Sequence, residues 1–248
     1  MKKIKTAIIG GSGLSTLKNL KNIRREVGRT PYGDPSAPLT IGTISGEEVV
    51  FLPRHGLSHQ IPPHRVNYRA NIWVLKSMGV ERIYAVAATG GIDDDLNAGD
   101  IVIPGQLIDY TYGREQTFFD GENGDVQHID FSQPYTENLR KKLIKATKQA
   151  GIKAHKTGVY AATQGPRLET AAEINRIAGD GGTIVGMTGM PEAALAKELE
   201  MDYAQISLVV NPAAGRGDDE MISFDDILKN LDHGMDKVRE ILEALLSA

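Results

Sequence analysis

The sequence predicts an α/β fold, a single domain with a mixed, twisted β-sheet covered by helices on both faces. Short apolar runs alternate with amphipathic stretches along all 248 residues, which is the element order of α/β proteins. A turn signal, Ser45-Gly46, separates two apolar runs and predicts an antiparallel hairpin. Because no linker or internal repeat interrupts residues 1–248, we take them as one domain.

In the first half, strands are expected at the apolar runs 6–9, 39–44, 49–52, 82–88 and 100–103. Residues 68–78 have helical spacing and stop at Gly79, a common residue after helix ends. In the second half, helices are expected over 135–150, 169–177, 191–199 and 224–246. Strands are expected between them, over 159–163, 183–187 and 204–210.

Composition excludes several classes of function. A net charge of -4 and a pI near 5.9 provide no basic surface for nucleic acid or an anionic membrane. The chain has no cysteine, which excludes disulfides, thiolate catalysis and Cys-ligated metal sites. The first apolar run is too short for a signal sequence or a membrane span. We therefore expect a cytoplasmic protein that binds neither nucleic acid nor membrane.

Glycine and polar residues cluster where the predicted strands end. In open α/β sheets, ligands lie at the carboxyl ends of the strands. Six such ends carry Gly10-Gly11-Ser12-Gly13, Arg54-His55-Gly56, Thr89-Gly90-Gly91, Gln164-Gly165-Pro166-Arg167, Met187-Thr188 and Asn211-Pro212. This convergence predicts a ligand site at one edge of the sheet.

Two of these residues indicate the kind of ligand. Thr188 stands at the start of the predicted helix 191–199, where free backbone N–H groups and the helix dipole favour an anion. Asn211 ends an apolar strand, where an amide needs a specific hydrogen-bonding partner. Together they suggest a phosphate and a heteroaromatic ligand.

Other candidates have a functional and a plainer interpretation. Ser12 lies in a glycine-rich turn that either cradles phosphate or is only structural. Arg54 and His55 offer donors to phosphate, or form a surface salt bridge. Glu169 either accepts hydrogen bonds from a base or stabilises the first turn of helix 169–177.

Two more motifs receive plain interpretations from sequence. Residues Asp93-Asp94-Asp95 form a solvated turn rather than a metal cluster, and His128 is a loop histidine. The histidines at 55, 59 and 64 lack the acidic partners and regular spacing of a zinc site. We expect no metal.

Five segments carry a more specific signal, and they run in order over nearly the whole chain: AIIGGSGL (7–14), PRHG (53–56), VNYRANIW (66–73), QGPRLET (164–170) and VGMTGMPE (185–192). Together they resemble the family of trimeric purine nucleoside phosphorylases and methylthioadenosine phosphorylases, nearest its bacterial methylthioinosine branch. The resemblance implies a partly barrel-like nucleoside phosphorylase fold and pentosyltransferase activity. It also implies inorganic phosphate as cosubstrate, no cofactor, and a homotrimer or a dimer of such trimers.

The resemblance also implies roles for residues of this chain. The phosphate site it implies consists of Ser12, Arg54, His55, the backbone at Ala87 and Ala88, and Thr188. The nucleoside site it implies has Met187 under the ribose, Asn211 beside purine N7, Leu168, Pro212 and Ala213 around the base, and His128 reaching a neighbouring subunit's 5′ pocket. Asn211 and His55 are the expected catalytic residues.

Departures from the family pattern indicate the base. Methylthioadenosine phosphorylases carry Asp at the Asn211 position, an acid at the Ala213 position and a small residue at the Glu169 position. Here Glu169 can accept from the N1–H of hypoxanthine, whereas adenine has no N1–H. An unmatched buried acceptor costs roughly 1–3 kcal/mol. The sequence therefore predicts a 6-oxopurine.

The 5′ end of the sugar is predicted from the start of the last helix. Inosine enzymes usually offer a histidine there, but this chain has Ile222-Ser223-Phe224 and Ile227. This apolar lining, with Phe224 as a specificity residue, suits a methylthio group. The expected reaction is phosphorolysis of S-methyl-5′-thioinosine to hypoxanthine and 5-methylthioribose 1-phosphate. The alternatives are a phosphorylase of inosine and guanosine, a methylthioadenosine phosphorylase, and a non-catalytic nucleoside-binding module.

Overall fold

A computed structural model describes residues 4–14, 16–121, 124, 126–217 and 222–247. The strands of this part of the chain are β1 (Thr6–Gly10), β2 (Lys21–Glu26), β3 (Leu39–Ile44), β4 (Glu47–Pro53), β5 (Arg82–Gly91), β6 (Ile101–Val102), β7 (Gln106–Asp109), β8 (Ala154–His155), β9 (Val159–Ala162), β10 (Ile184–Gly186) and β11 (Asp202–Pro212). The helices are α1 (Tyr68–Ser77), α2 (Glu137–Gln149), α3 (Ala171–Gly179), α4 (Gly189–Glu198), α5 (Phe224–Leu246) and a short 3-10 helix (Pro63–Arg65).

All of these strands belong to one sheet. Its main path runs β2-β3-β4-β1-β5-β10-β9-β7, and a second arm adds β11, β6 and β8 at β5. Pairs β1–β4, β1–β5 and β5–β11 are parallel, whereas β3–β4 and β5–β10 are antiparallel. The predicted mixed α/β sheet is therefore confirmed, and the described strand pairs form a branched path rather than a closed ring.

The predicted hairpin is β3–β4, with Ile44 opposite Glu47. The two residues between them, Ser45 and Gly46, have φ values of 50° and 88°. Positive φ at both central positions is the geometry of a type I′ turn, whose twist matches that of the flanking strands.

Helices cover both faces of the sheet because successive strand residues point to opposite faces. In β5, Ile83 and Ala85 belong to the apolar cluster that includes Ile72 of α1 and Leu195 of α4. Their neighbours Tyr84 and Val86 belong to the cluster that includes Leu143 of α2 and Val238 of α5. No described helix has the length and apolar character needed to cross a membrane.

The strand β5 creates the opening in which the site lies. On one edge it pairs with β1 up to Ala85 and with β10 from Gly90. Residues 86–89 pair with neither strand, although β11 continues along the other edge. The divergence of β1 and β10 therefore leaves a gap beside this part of β5.

The predicted elements are largely present, with differences at their ends. Helix α5 has the predicted bounds, and Ser223 caps it by accepting from the Asp226 N–H. Helix α3 begins later than predicted, because Thr170 is its N-cap and forms a capping box with Glu173. Glu169 thus lies before the helix, and its predicted place in the first turn is wrong.

The strands β2, β7 and β8 were not predicted. All residues of β2 are exposed, so this charged edge strand has no alternation of apolar and polar residues. Strand β8 has two residues, which is too short to show a period. Asp93, Asp94 and Asp95 are exposed, as expected for a solvated turn.

Candidate active site

A cavity of about 450 Å³ opens beside the gap along β5. The predicted site residues that line it are Ser12, Arg54, His55, Ala87, Ala88, Leu168, Glu169, Met187, Thr188, Asn211, Ala213 and Phe224. Residues that are far apart in sequence meet here because β1, β4 and β11 run parallel to β5 and end beside its last residues. Strand β10 is antiparallel to β5 and ends at the same gap from the opposite direction. Two predicted residues do not line the cavity: Pro212 is exposed beside it, and His128 is exposed on a loop.

Arg54 follows β4 and is fully buried. Its Nε and Nη2 donate to the two carboxylate oxygens of Glu192 at 2.6 and 2.7 Å, and Nη1 donates to the Val86 carbonyl at 2.9 Å. The salt bridge considered from sequence exists, but it lies in the interior. A guanidinium has five N–H donors, so one N–H on each of Nη1 and Nη2 is left for a ligand in the cavity.

Glu192 was not predicted as a site residue. It is completely buried on α4 and also accepts from the Tyr203 hydroxyl at 2.8 Å. Burial acts to lower the pKa of Arg54, but the facing Glu192 carboxylate more than offsets it and raises the pKa above its usual value. The available signal was an acid at the start of a helix, followed by Ala193-Ala194-Leu195, and no role was predicted for it.

His55 has a defined tautomer. Its Nδ1 lies 2.8 Å from the carbonyl oxygen of Ile61, so Nδ1 carries the proton and Nε2 is the basic nitrogen. Burial, followed by the charge of Arg54, lowers the pKa of His55 to about 4. The imidazole is therefore neutral at pH 7. A neutral Nε2 accepts a hydrogen bond, so it suits an oxygen that carries a proton.

The lowered pKa of His55 makes stability depend on pH. Between its usual pKa of 6.5 and the folded value of about 4, the unfolded chain binds more protons than the folded chain. The contribution of neutral His55 to the free energy of unfolding is fully present above pH 6.5 and is lost as the pH falls through 4. It amounts to about 3 kcal/mol. We expect His55→Gln to remove this part of the pH profile.

Urea unfolding of both proteins from pH 4 to 8 measures the effect. The difference in unfolding free energy between wild type and His55→Gln should shrink as the pH falls from 6.5 to 4. Subtracting the two profiles removes the contribution of His59, whose pKa is also lowered by burial. A difference that is constant with pH would contradict a buried neutral His55.

The backbone at the start of α4 differs from the expected anion site. The N–H groups of Thr188 and Gly189 point to the Tyr160 hydroxyl at 3.1 and 3.4 Å. Met190 is non-helical, so the regular helix starts at Pro191. Thr188 lines the cavity, but the expectation that free N–H groups surround it is wrong because Tyr160 already accepts from them.

The glycine-rich turn after β1 has a steric role. A Cβ on Gly11 would lie 2.5 Å from the Val86 carbonyl oxygen and 3.1 Å from Nη1 of Arg54. Backbone atoms cannot yield cheaply, so a side chain there would displace Arg54 or the β5 backbone. This close approach explains the glycine, whichever ligand the turn contacts.

We expect Gly11→Ala to raise the KM for phosphate by at least about 10-fold, because a displacement of about 1 Å in a positioned site is enough for such a loss. Steady-state kinetics at varied phosphate measure it. Gly179→Ala is the matched control, since a Cβ there meets nothing and α3 should gain up to about 1 kcal/mol. An unchanged KM in Gly11→Ala would show that this turn lies away from the phosphate.

Asn211 and Glu169, the residues predicted to contact a purine, both line the cavity. Asn211 is half-buried rather than fully buried, and its Nδ2 donates to the Pro212 carbonyl at 2.5 Å. A β-bulge between Val209 and Asn211 accompanies this end of β11. One N–H of the amide is left for a ligand. Glu169 Oε1 accepts from the Thr163 hydroxyl at 2.6 Å.

Arg114 is a further residue that the sequence did not indicate. It is buried, and its Nη1 donates to the carbonyls of Met187 and Met190 at 2.9 and 2.6 Å. Its Nη2 donates to the carbonyls of Thr163 and Gln164 at 3.2 and 2.8 Å. Arg114 therefore connects the strand end beneath the cavity with the strand end beside Glu169. A single arginine in a loop gave no signal of this.

Part of the cavity wall is apolar. It includes Phe224, Ile227 and Leu231 of α5, and Ile222, which precedes that helix. Phe224 lines the cavity although its side chain is 68% exposed. None of these residues has a polar side chain for a ligand hydroxyl.

Comparison with known proteins agrees with this geometry. Residues 5–247 match the model of the phosphorylase superfamily. The chain belongs to the phosphorylase superfamily. A relative from Pseudomonas syringae pv. tomato, named probable S-methyl-5′-thioinosine phosphorylase, is 54% identical over 98% of each chain. The 6-oxopurine nucleoside phosphorylase of Pyrococcus furiosus is 49% identical over 84% of this phosphorylase and 80% of that protein.

A solved structure has the same fold. Methylthioadenosine phosphorylase from Schistosoma mansoni in complex with adenine matches with a TM-score of 0.94 and 34% identity. The match covers 99% of this phosphorylase and 91% of that chain. The family resemblance, the nucleoside phosphorylase fold and the assignment as an enzyme are thus confirmed.

Proposed function

We propose that this phosphorylase cleaves S-methyl-5′-thioinosine with inorganic phosphate, giving hypoxanthine and 5-methylthioribose 1-phosphate. The observation that carries the proposal is the pairing within one cavity of Glu169 and Asn211 with an apolar end at Phe224 and Ile227. The two polar side chains suit a 6-oxopurine. The apolar end suits a methylthio group.

The base preference rests on hydrogen-bond matching. Glu169 accepts, so it fits the N1–H of hypoxanthine and faces a lone pair at N1 of adenine. Asn211 has an N–H to offer N7 or O6 of the base. Ala213 lines the cavity with a methyl group, so its side chain offers no second acceptor to a 6-amino group. Glu169 is half-buried, and an acceptor left unpaired against a bound base costs up to roughly 1–3 kcal/mol, which favours 6-oxopurines.

The sugar preference rests on the start of α5. A 5′-hydroxyl next to Ile222, Phe224 and Ile227 would find no hydrogen-bond partner among these three side chains. A methylthio group loses nothing polar there and buries apolar area. The relatives named probable S-methyl-5′-thioinosine phosphorylase from Pseudomonas and Xanthomonas, at 54% and 46% identity, support this substrate.

In the proposed mechanism, the bond between C1′ and N9 lengthens toward a cationic sugar while phosphate lies beneath C1′. Ser12, Arg54, His55, Thr188 and the backbone of residues 87–88 hold the phosphate. A phosphate oxygen then forms the new bond to C1′, and the electrons of the old bond move to the purine. The Asn211 amide stabilises the negative charge that develops there. The neutral imidazole of His55 accepts a hydrogen bond from a protonated phosphate oxygen.

The proposal includes an assembly and a location. Exposed His128 completes the 5′ pocket of a neighbouring subunit in a homotrimer, and the enzyme works in the cytoplasm without a metal or organic cofactor. Light scattering tests the trimer. If the protein is a trimer, His128→Ala should raise the KM for the nucleoside without changing the mass.

The deciding experiment is a substrate panel at fixed phosphate, with bases identified by chromatography. Methylthioinosine should release hypoxanthine only when phosphate is present, with a higher kcat/KM than inosine. Methylthioadenosine should release little adenine. Ligand binding without turnover of any nucleoside would instead indicate a binding module.

Inosine and guanosine are the second candidate substrates. Relatives named 6-oxopurine nucleoside phosphorylase, from Pyrococcus and Dictyoglomus, are 49% and 46% identical. Both names specify a 6-oxopurine, and neither mentions a methylthio group. A kcat/KM for inosine equal to or above that for methylthioinosine would favour this candidate.

A further inference from the structure

Glu169 stands between two cavities. It lines the nucleoside cavity and also a second cavity of about 340 Å³, which includes Tyr110, Arg167 and Arg176. Thr163 lines only the second cavity. Its hydroxyl, 2.6 Å from Glu169 Oε1, therefore approaches the carboxylate from the second cavity.

The position of Thr163 is itself well defined. It directly follows β9, and its backbone N–H donates to the Gly186 carbonyl of β10 at 2.8 Å. Its own carbonyl accepts from Nη2 of Arg114 at 3.2 Å. The Thr163 hydroxyl also lies 3.3 Å from the Gly186 carbonyl oxygen, but Glu169 Oε1 at 2.6 Å is the nearer acceptor for its one proton.

No other described side chain competes for this role. Arg167 is the nearby cation, but its Nη1 and Nη2 both donate to Glu173 at 2.8 Å. Glu173 also closes the capping box of α3. Within the described residues, Thr163 is the side chain that donates a hydrogen bond to Glu169. The carboxylate lies on a segment before α3, so no helical backbone constrains it.

We infer that Thr163 is a positioning residue that orients Glu169 and thereby sets the preference for 6-oxopurine over 6-aminopurine nucleosides. This inference rests on the proposed function. An ionised carboxylate only accepts hydrogen bonds. Because Oε1 of Glu169 accepts from the Thr163 hydroxyl, Oε2 is left to accept from the N1–H of the base. Without the hydroxyl, the carboxylate turns freely and can accept from a 6-amino group instead.

Thr163→Val removes the hydroxyl and keeps the branched shape. We expect kcat/KM for methylthioinosine to fall at least about 10-fold, because a hydrogen bond to a charged group is lost. For methylthioadenosine we expect no fall in kcat/KM. The ratio of kcat/KM for methylthioinosine to that for methylthioadenosine should therefore fall by the same factor of at least about 10. Thr163→Ser restores the hydroxyl, and its ratio should return to within about 3-fold of wild type.

A double-mutant cycle separates positioning from a general structural effect. On a Glu169→Ala background, Thr163→Val should change the substrate ratio by less than about 2-fold, because the carboxylate it orients is absent. An equal drop on both backgrounds, or an unchanged ratio in Thr163→Val alone, would overturn the inference. If the wild type releases no hypoxanthine from methylthioinosine or from inosine, the proposed function itself is wrong. That outcome is distinct from a failure of the Thr163 variants.

Discussion

Glu192→Gln should lower the free energy of unfolding by about 3–5 kcal/mol and raise the KM for phosphate. The substitution keeps the shape of the side chain but removes its charge. It leaves the guanidinium of Arg54 buried without a counter-charge, which is the costly way to break a buried ion pair. The fork of Arg54 then loses one of its two short hydrogen bonds and its fixed orientation. Urea unfolding and steady-state kinetics measure the two effects.

A matched control is Glu48→Gln, which breaks the exposed pair of Arg24 and Glu48 at 2.6 Å. Water and salt screen that pair, so its loss should not change the unfolding midpoint measurably. The double variant Arg54→Met with Glu192→Leu removes both charges together. We expect it to regain stability but not phosphate-dependent activity. If Glu192→Gln is as stable and as active as wild type, the pair does not organise the site.

Asn211→Ala should lower kcat for methylthioinosine by about 100-fold or more and change the KM for phosphate little. Removing one donor that stabilises a developing negative charge typically costs this much. The amide already gives one N–H to the Pro212 carbonyl, which holds the side chain before substrate binds. The second N–H is then available to the purine. Hypoxanthine release at saturating substrate measures kcat.

Two further variants sharpen this test. Asn211→Asp keeps the size but places a carboxylate near the leaving purine, so it should be as poor as Asn211→Ala on methylthioinosine. Asn175→Ala makes the same substitution on the exposed face of α3 and should leave kcat unchanged. A kcat for Asn211→Ala above half of the wild-type value would contradict a role for the amide in bond cleavage.

Elements with a long, regular pattern were predictable. The amphipathic period of α5 continues over 23 residues, and it gave the bounds of the helix. The hairpin β3–β4 followed from its turn residues. By contrast, β2 is exposed throughout and β8 has two residues, so neither has a hydrophobic period to detect. These strands form because a neighbouring strand is already in place.

The candidate site also has a part that was predictable from the sequence and a part that was not. Its residues were predicted as a group because they follow strands, and most of them line one cavity in the structure although β10 is antiparallel to β5. The partners of those residues were not found. Arg54 and Glu192 are 138 positions apart, and nothing near either one indicates the other. Likewise, nothing in the sequence indicated that the Tyr160 hydroxyl oxygen accepts from the N–H groups of Thr188 and Gly189.

The sequence by itself determined the α/β class, the family and the residue types available at the strand ends. Those follow from local pattern and from ordered motifs, which the linear chain carries. Only the tertiary structure decided which of these groups are already engaged: Arg54 with Glu192, His55 with Ile61, Glu169 with Thr163. The physical reason is that a hydrogen bond between distant parts of the chain requires the donor–acceptor distance to be correct to within a few tenths of an ångström. Such distances exist only after the sheet and its helices have packed.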